Sequence, residues 1–211
     1  MTFRSGFVSL VGRPNVGKST LLNQIVGRKV SIVSERPQTT RTQVRGVRTT
    51  ATSQLVFLDT PGVHKPRTLL GERANERALT TLGEVDVVCF LVEANATIGR
   101  GDRYVAERLA TVDTPVVLAM NKIDATAHAR VGEQLAKAAA ELGEFAAYVP
   151  VSARTGAGVP ALVDELETRL PEGPHYYPED VAISPRRSSR PSWSVNNSWR
   201  SRGKSSLIPS Q

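Results

Sequence analysis

The chain has 211 residues, 40% of them hydrophobic, which supports one domain of ordinary size with a packed core and a short extension. No apolar run approaches the ~20 residues needed to cross a bilayer, and one cysteine excludes a disulfide framework. Of the net charge of +7, residues 182–211 supply +6 (Arg186, Arg187, Arg190, Arg200, Arg202 and Lys204, with no acid), so residues 1–181 carry +1 and give no electrostatic case for nucleic-acid binding by the globular part.

Met1–Ser5 runs directly into an apolar strand pattern at Phe7–Val11 with no secretory signal, so a soluble cytoplasmic protein is expected. Gly12-Arg13-Pro14-Asn15-Val16-Gly17-Lys18-Ser19 follows that strand and, with Thr20, opens a helix predicted over about 20–27. It fits G-x-x-x-x-G-K-[ST] in the strand-to-helix setting the motif requires. The glycines let the backbone curl so that its N–H groups face phosphate oxygens, Lys18 puts a point charge between the β- and γ-phosphates, and Ser19 offers a hydroxyl to Mg²⁺. Ser34–Gln43 is a polar loop after that helix; a threonine hydroxyl there, Thr40 or alternatively Thr39, suits the same Mg²⁺ and the γ-phosphate.

Gln43–Thr50 reads as an edge strand, and Leu55–Leu58 as a buried strand that ends in Asp59-Thr60-Pro61-Gly62. An acid at a strand's C-terminal end, beside a phosphate loop, holds Mg²⁺ through water; the Gly62 N–H senses the γ-phosphate. A helix is predicted at about 72–82, then the strand Val85–Val92, where Cys89 reads as core, then a helix at 102–110. The strand Val116–Met120 leads into Asn121-Lys122-Ile123-Asp124. A carboxylate here accepts hydrogen bonds from N1–H and the 2-amino group of guanine, a donor pair that adenine lacks. Asn121 would tie this loop to the phosphate loop, and the Lys122 stem would cover the base. A helix at 127–142, the strand Ala147–Val151, the loop Ser152-Ala153-Arg154 closing on the guanine oxygen through a backbone N–H, and a helix at 159–170 complete the order. Short apolar runs alternating with amphipathic helices predict an α/β fold of the P-loop NTPase kind, a mostly parallel six-stranded sheet flanked by helices on both faces.

These elements, in this order, are similar to those of the translation-factor-like GTPases. The phosphate loop, Gln38-Thr-Thr-Arg41, Asp59-Thr-Pro-Gly-Val-His-Lys-Pro66 and Leu170-Pro-Glu-Gly-Pro-His-Tyr-Tyr-Pro-Glu-Asp-Val181 resemble the Era family of P-loop GTPases over about residues 5–181. The resemblance implies a monomeric GTP hydrolase that binds GTP and GDP with Mg²⁺, a switch in assembly of the small ribosomal subunit, and a C-terminal KH domain that binds 16S rRNA. It also implies cytoplasmic localisation, with peripheral association at the inner face of the cell membrane. It gives Lys18, Thr40 and Gly62 catalytic roles and Ser19, Thr40 and Asp59 the metal. Many GTPases carry a water-orienting glutamine at the position of Val63; the Era family shares the hydrophobic replacement, so hydrolysis should be slow. Asn15 stands where related GTPases coordinate K⁺. Two further readings stay open: a nucleotide-binding fragment without function in the cell, and another Era-like GTPase acting in tRNA modification or ribosome maturation.

The expected division is a GTP-binding domain at 5–171, a linker at 172–181 toward an absent KH domain, and a disordered basic Ser/Arg-rich tail at 182–211, which holds ten serines and both tryptophans. A KH domain needs a Gly-x-x-Gly loop, and the chain has none. Back-translating residues 190–211 and reading each codon from its third base permits an amphipathic pattern ending in Leu-Pro-His-Ser, like the start of that domain. A frameshift near Ala182 is therefore expected.

Overall fold

The computed structural model describes residues 2–27, 44–58 and 82–178. Six strands, β1 (Arg4–Gly12), β2 (Val44–Thr49), β3 (Ser53–Leu58), β4 (Val87–Glu93), β5 (Val116–Asn121) and β6 (Ala147–Pro150), form one sheet in the order β2-β3-β1-β4-β5-β6. β1 pairs in parallel with β3 and β4, as do β4 with β5 and β5 with β6; β2 alone is antiparallel, at the edge predicted for it. It reaches β3 through a tight turn in which Thr50 Oγ1 accepts from the Ser53 N–H at 3.0 Å. Four helices are described, α1 (Lys18–Val26), α2 (Arg100–Leu109), α3 (His128–Leu142) and α4 (Val159–Glu167). The helix expected at 72–82 lies outside the described residues except for its last position.

The strands β3, β4 and β5 are buried on both faces, which is why the sheet's centre reads as apolar runs. Along β4, Val87, Cys89 and Leu91 face one core with α1 and α4, through Leu21, Ile25, Leu162 and Leu166. The alternate residues Val88, Phe90 and Val92 face the other, with α2 and α3, through Val105, Leu109, Ala138 and Leu142. Each of the buried Val, Leu, Ile and Phe side chains contributes about 1.5–3 kcal/mol. Cys89 is fully buried, and burial pushes its thiol up to about 12, so it packs as an inert core residue.

Element ends depart from the apolar pattern where hydrogen bonding decides. β4 begins two residues later than its apolar run because Asp86 caps the neighbouring strand, its Oδ2 accepting the Phe7 N–H at 2.7 Å. α4 stops at Glu167 because the chain tightens to i→i−3 bonds, Leu170 N–H to Glu167 O at 3.1 Å. Beyond it, residues 171–177 lie against the start of β1 and β3. The buried Gln54 side chain receives the Tyr176 and Tyr177 N–H groups at 2.8 and 3.0 Å and donates to Tyr177 O at 2.9 Å. The opposite, C-terminal edge of the parallel strands carries the loops that matter for chemistry.

Candidate functional site

β1 ends at Gly12, and the chain curls through residues 12–17 before α1. Three of these residues have positive φ: Gly12 (148°), Asn15 (63°) and Gly17 (106°). At Gly17 a side chain is also excluded by space, since a Cβ would stand 2.3 Å from the Asn121 amide nitrogen. Lys18 is the first residue of α1, and its ammonium folds back over the loop, donating to the Gly12 and Arg13 carbonyls at 2.8 Å each. Burial lowers its pKa from the ordinary 10.5, so a polyanion arriving there would be met by a cation poor in solvation. The first intrahelical bond of α1 runs from Leu21 N–H to Gly17 O, which leaves the preceding N–H groups of the helix start for an anion. Ser19 and Thr20 are exposed beside Lys18.

The ends of β5 and β6 meet this loop from the side. Asn121, 1% exposed, donates from Nδ2 to Val16 O at 2.8 Å and accepts the Ala153 N–H on Oδ1 at 2.9 Å. One side chain thus joins the phosphate loop to the loops after β5 and β6. Lys122 follows in left-handed conformation (φ 68°), its ammonium paired with the Glu93 carboxylate at the end of β4. Asp124 sits in a 3₁₀ turn, Ile123–Ala125. Its Oδ1 accepts from Ser152 Oγ at 2.6 Å and its Oδ2 from Arg154 Nη2 at 2.7 Å. The Ser152 hydroxyl first, and the Arg154 charge after it, hold the Asp124 carboxyl below its ordinary value, so it is an anion at neutral pH. Ser152 is itself fixed, its N–H donating to Ala157 O at 2.8 Å and its Oγ accepting the Thr155 N–H at 3.1 Å.

Residues Gly12 to Thr20, Asn121 to Asp124 and Ser152 to Arg154 therefore come together at one edge of the sheet. Thr39, Thr40, Asp59, Thr60, Pro61, Gly62 and Val63 lie outside the described residues. Of the three expected Mg²⁺ ligands, Ser19 alone is described; its exposed hydroxyl, next to Lys18 at the helix start, is a hard oxygen donor of the kind Mg²⁺ takes. Among the described residues no cluster of three or more His, Cys, Asp or Glu could hold a metal. Sequence reasoning missed three side chains. Glu93 carried a usable signal, an acid closing an apolar strand. Asp102, whose Oδ1 accepts from Arg13 Nε at 2.7 Å, carried a weaker one, an acid in a helix's first turn. The hydroxyl of Ser152 carried none, because its partner is 28 residues away.

A curled Gly-rich loop between β1 and α1, on a parallel sheet whose next strand ends bear Asn-Lys-x-Asp and Ser-Ala-Arg, defines the P-loop fold class. A family model described as 50S ribosome-binding GTPase matches residues 7–122, more than half of the chain, and the chain belongs to that family. It is 50% identical over 179 residues to GTPase Era of Carboxydothermus hydrogenoformans, and 46% identical over 181 residues to GTPase Era of Alkaliphilus metalliredigens. The two alignments cover 85% and 86% of this chain but 60% and 61% of those relatives, so the chain spans about three fifths of their length. It also superimposes, with a TM-score of 0.72 and 37% identity, on a crystal structure of Era in complex with MgGDPNP and nucleotides 1506–1542 of 16S ribosomal RNA, covering 84% of this chain and 61% of that one.

Proposed function

We propose that the chain binds GTP with Mg²⁺, hydrolyses it slowly, and carries the nucleotide-binding half of a switch used in assembly of the small ribosomal subunit. The observation that carries this reading is the Asn121 amide, which joins three motif-bearing loops at one edge of the sheet. In this reading the loop N–H groups and Lys18 hold the triphosphate, Asp124 reads the guanine edge, and Ala153 N–H lies where the base carbonyl is met. Lys18 exchanges two carbonyl partners for phosphate oxygens, a move that a partly desolvated ammonium favours. Ser19, Thr40 and Asp59 would hold Mg²⁺, which would supply charge neutralisation for phosphoryl transfer. Thr40 and Gly62 would then report the γ-phosphate. Asn15, at φ 63° in the loop between β1 and α1, is the proposed K⁺ ligand. Residues 5–171 form the catalytic unit, 172–181 lead out of it, and the basic 182–211 segment gives at most salt-sensitive contact with RNA.

Phosphate release from GTP by the purified chain tests this. The parent should turn over GTP, faster in K⁺ than in Na⁺, and Lys18→Ala should lose roughly a hundredfold or more of kcat/KM. Equal turnover by Lys18→Ala and the parent would overturn the assignment. A 16S rRNA 3′-end oligonucleotide should bind weakly and release as salt rises; binding that persists at high salt argues against the division of the chain.

A further inference from the structure

Lys18 is gripped by the carbonyls of Gly12 and Arg13, and Arg13 has a second attachment that the nucleotide reading leaves unused. Its side chain reaches across to the first turn of α2, where Nε donates to Oδ1 of Asp102 at 2.7 Å. Asp102 is 1% exposed, and its other oxygen, Oδ2, accepts the Gly99 N–H at 2.9 Å. The Arg13 stem lies flat on the helix because residue 101 is glycine; a Cβ there would stand 2.8 Å from Arg13 Cδ. A lone buried carboxylate is costly, and the guanidinium offsets that cost, so each partner holds the other in place. The residue whose carbonyl grips the phosphate-binding lysine is thus bolted, through its own side chain, to a helix 89 residues away in sequence.

We propose that Asp102 is a positioning residue for the phosphate loop, acting through Arg13 to hold the Gly12–Arg13 backbone in the orientation that aims Lys18. It touches no nucleotide itself. The competing role is a plain cap on α2, and chemistry separates the two: asparagine at 102 keeps an oxygen for the Gly99 N–H but loses the ion pair. The proposal rests on the reading that this loop binds GTP, so the parent's affinity for GTP is measured first. A parent that binds no GTP refutes that reading, and the proposal with it, before any variant is read.

With a GTP-binding parent, Asp102→Asn should weaken GTP by roughly ten- to hundredfold, the scale expected for a misaimed group. Guanosine, which has no phosphates and depends on Asp124, should bind as it does to the parent in an NMR titration. Arg13→Gln, at a partly exposed position, should show the same selective loss and settles the matter if Asp102→Asn does not fold. The double variant should be no weaker than the weaker single, because both remove one interaction. Parental GTP affinity in Arg13→Gln, or an equal loss for GTP and guanosine, overturns the proposal.

Discussion

The two ends of the candidate site, one proposed to hold phosphate and the other a base, are built by opposite means. Residues 12–19 use backbone: two glycines and Asn15 at positive φ, two carbonyls on Lys18, and the open start of a helix. Residues 121–124 and 152–154 use side chains: the Asn121 amide, the Lys122–Glu93 pair, and a carboxylate held by a hydroxyl and a guanidinium. A polyanion has no edge to read, so curled backbone and one charge suffice for it. A base differs from its competitors in two or three hydrogen-bonding groups, so the end that reads it needs fixed donors and acceptors. In the proposed reading, affinity and discrimination sit on different parts of the chain, joined by the Asn121 amide.

The sharpest way to break that comparison is to cut the joint. Asn121→Ala would orphan Val16 O and Ala153 N–H, both buried, and should cost about 2–5 kcal/mol in urea-induced unfolding; GDP affinity should fall with it, because both ends lose their mutual register. A variant that loses stability but keeps parental affinity would mean that the two ends hold their places without each other.

The acid limb of the base end gives a subtler test. The Asp124 carboxyl is held below its ordinary 3.8, by the Ser152 hydrogen bond above all. A depressed carboxyl contributes stability that is fully present above the unfolded value and is lost as pH falls through the folded one. The difference in unfolding free energy between the parent and Asp124→Asn should therefore stay flat from neutral pH down to the ordinary carboxylate range and fall only below it. Ser152→Ala should move that edge upward. An unmoved edge would mean that the hydroxyl does not tune the carboxylate.

The smallest effect belongs to Arg154, whose side chain is 76% exposed. Arg154→Ala should change unfolding free energy by less than about 1 kcal/mol, as exposed ion pairs do; a larger loss would mark the pair as structural.

The two ends were also unequally legible. The phosphate loop is eight contiguous residues between an apolar strand and a helix, and local pattern alone located it. The strands were legible as apolar runs because the sheet is covered on both faces, and β2 as a weaker pattern because it lies at an edge. The base end was legible as motifs in order, but its bonds were not, since Asn121 and Val16 are 105 residues apart and meet only once β1, β4 and β5 are side by side. Arg13 and Asp102 stayed hidden for the same reason: ordinary residue types whose pairing is set by strand order, which periodicity does not encode.

The central claim is that a curled backbone with one lysine holds a triphosphate while Asp124 selects guanine. Calorimetry of the parent chain with GTP and then with ATP, beside Asp124→Asn, tests it most directly. The account predicts that GTP binds, that ATP is weaker by roughly 10⁴-fold, as when a site's hydrogen-bonding groups lose their partners, and that Asp124→Asn loses most of the difference. ATP bound as tightly as GTP by the parent, or undiminished discrimination in Asp124→Asn, would contradict it.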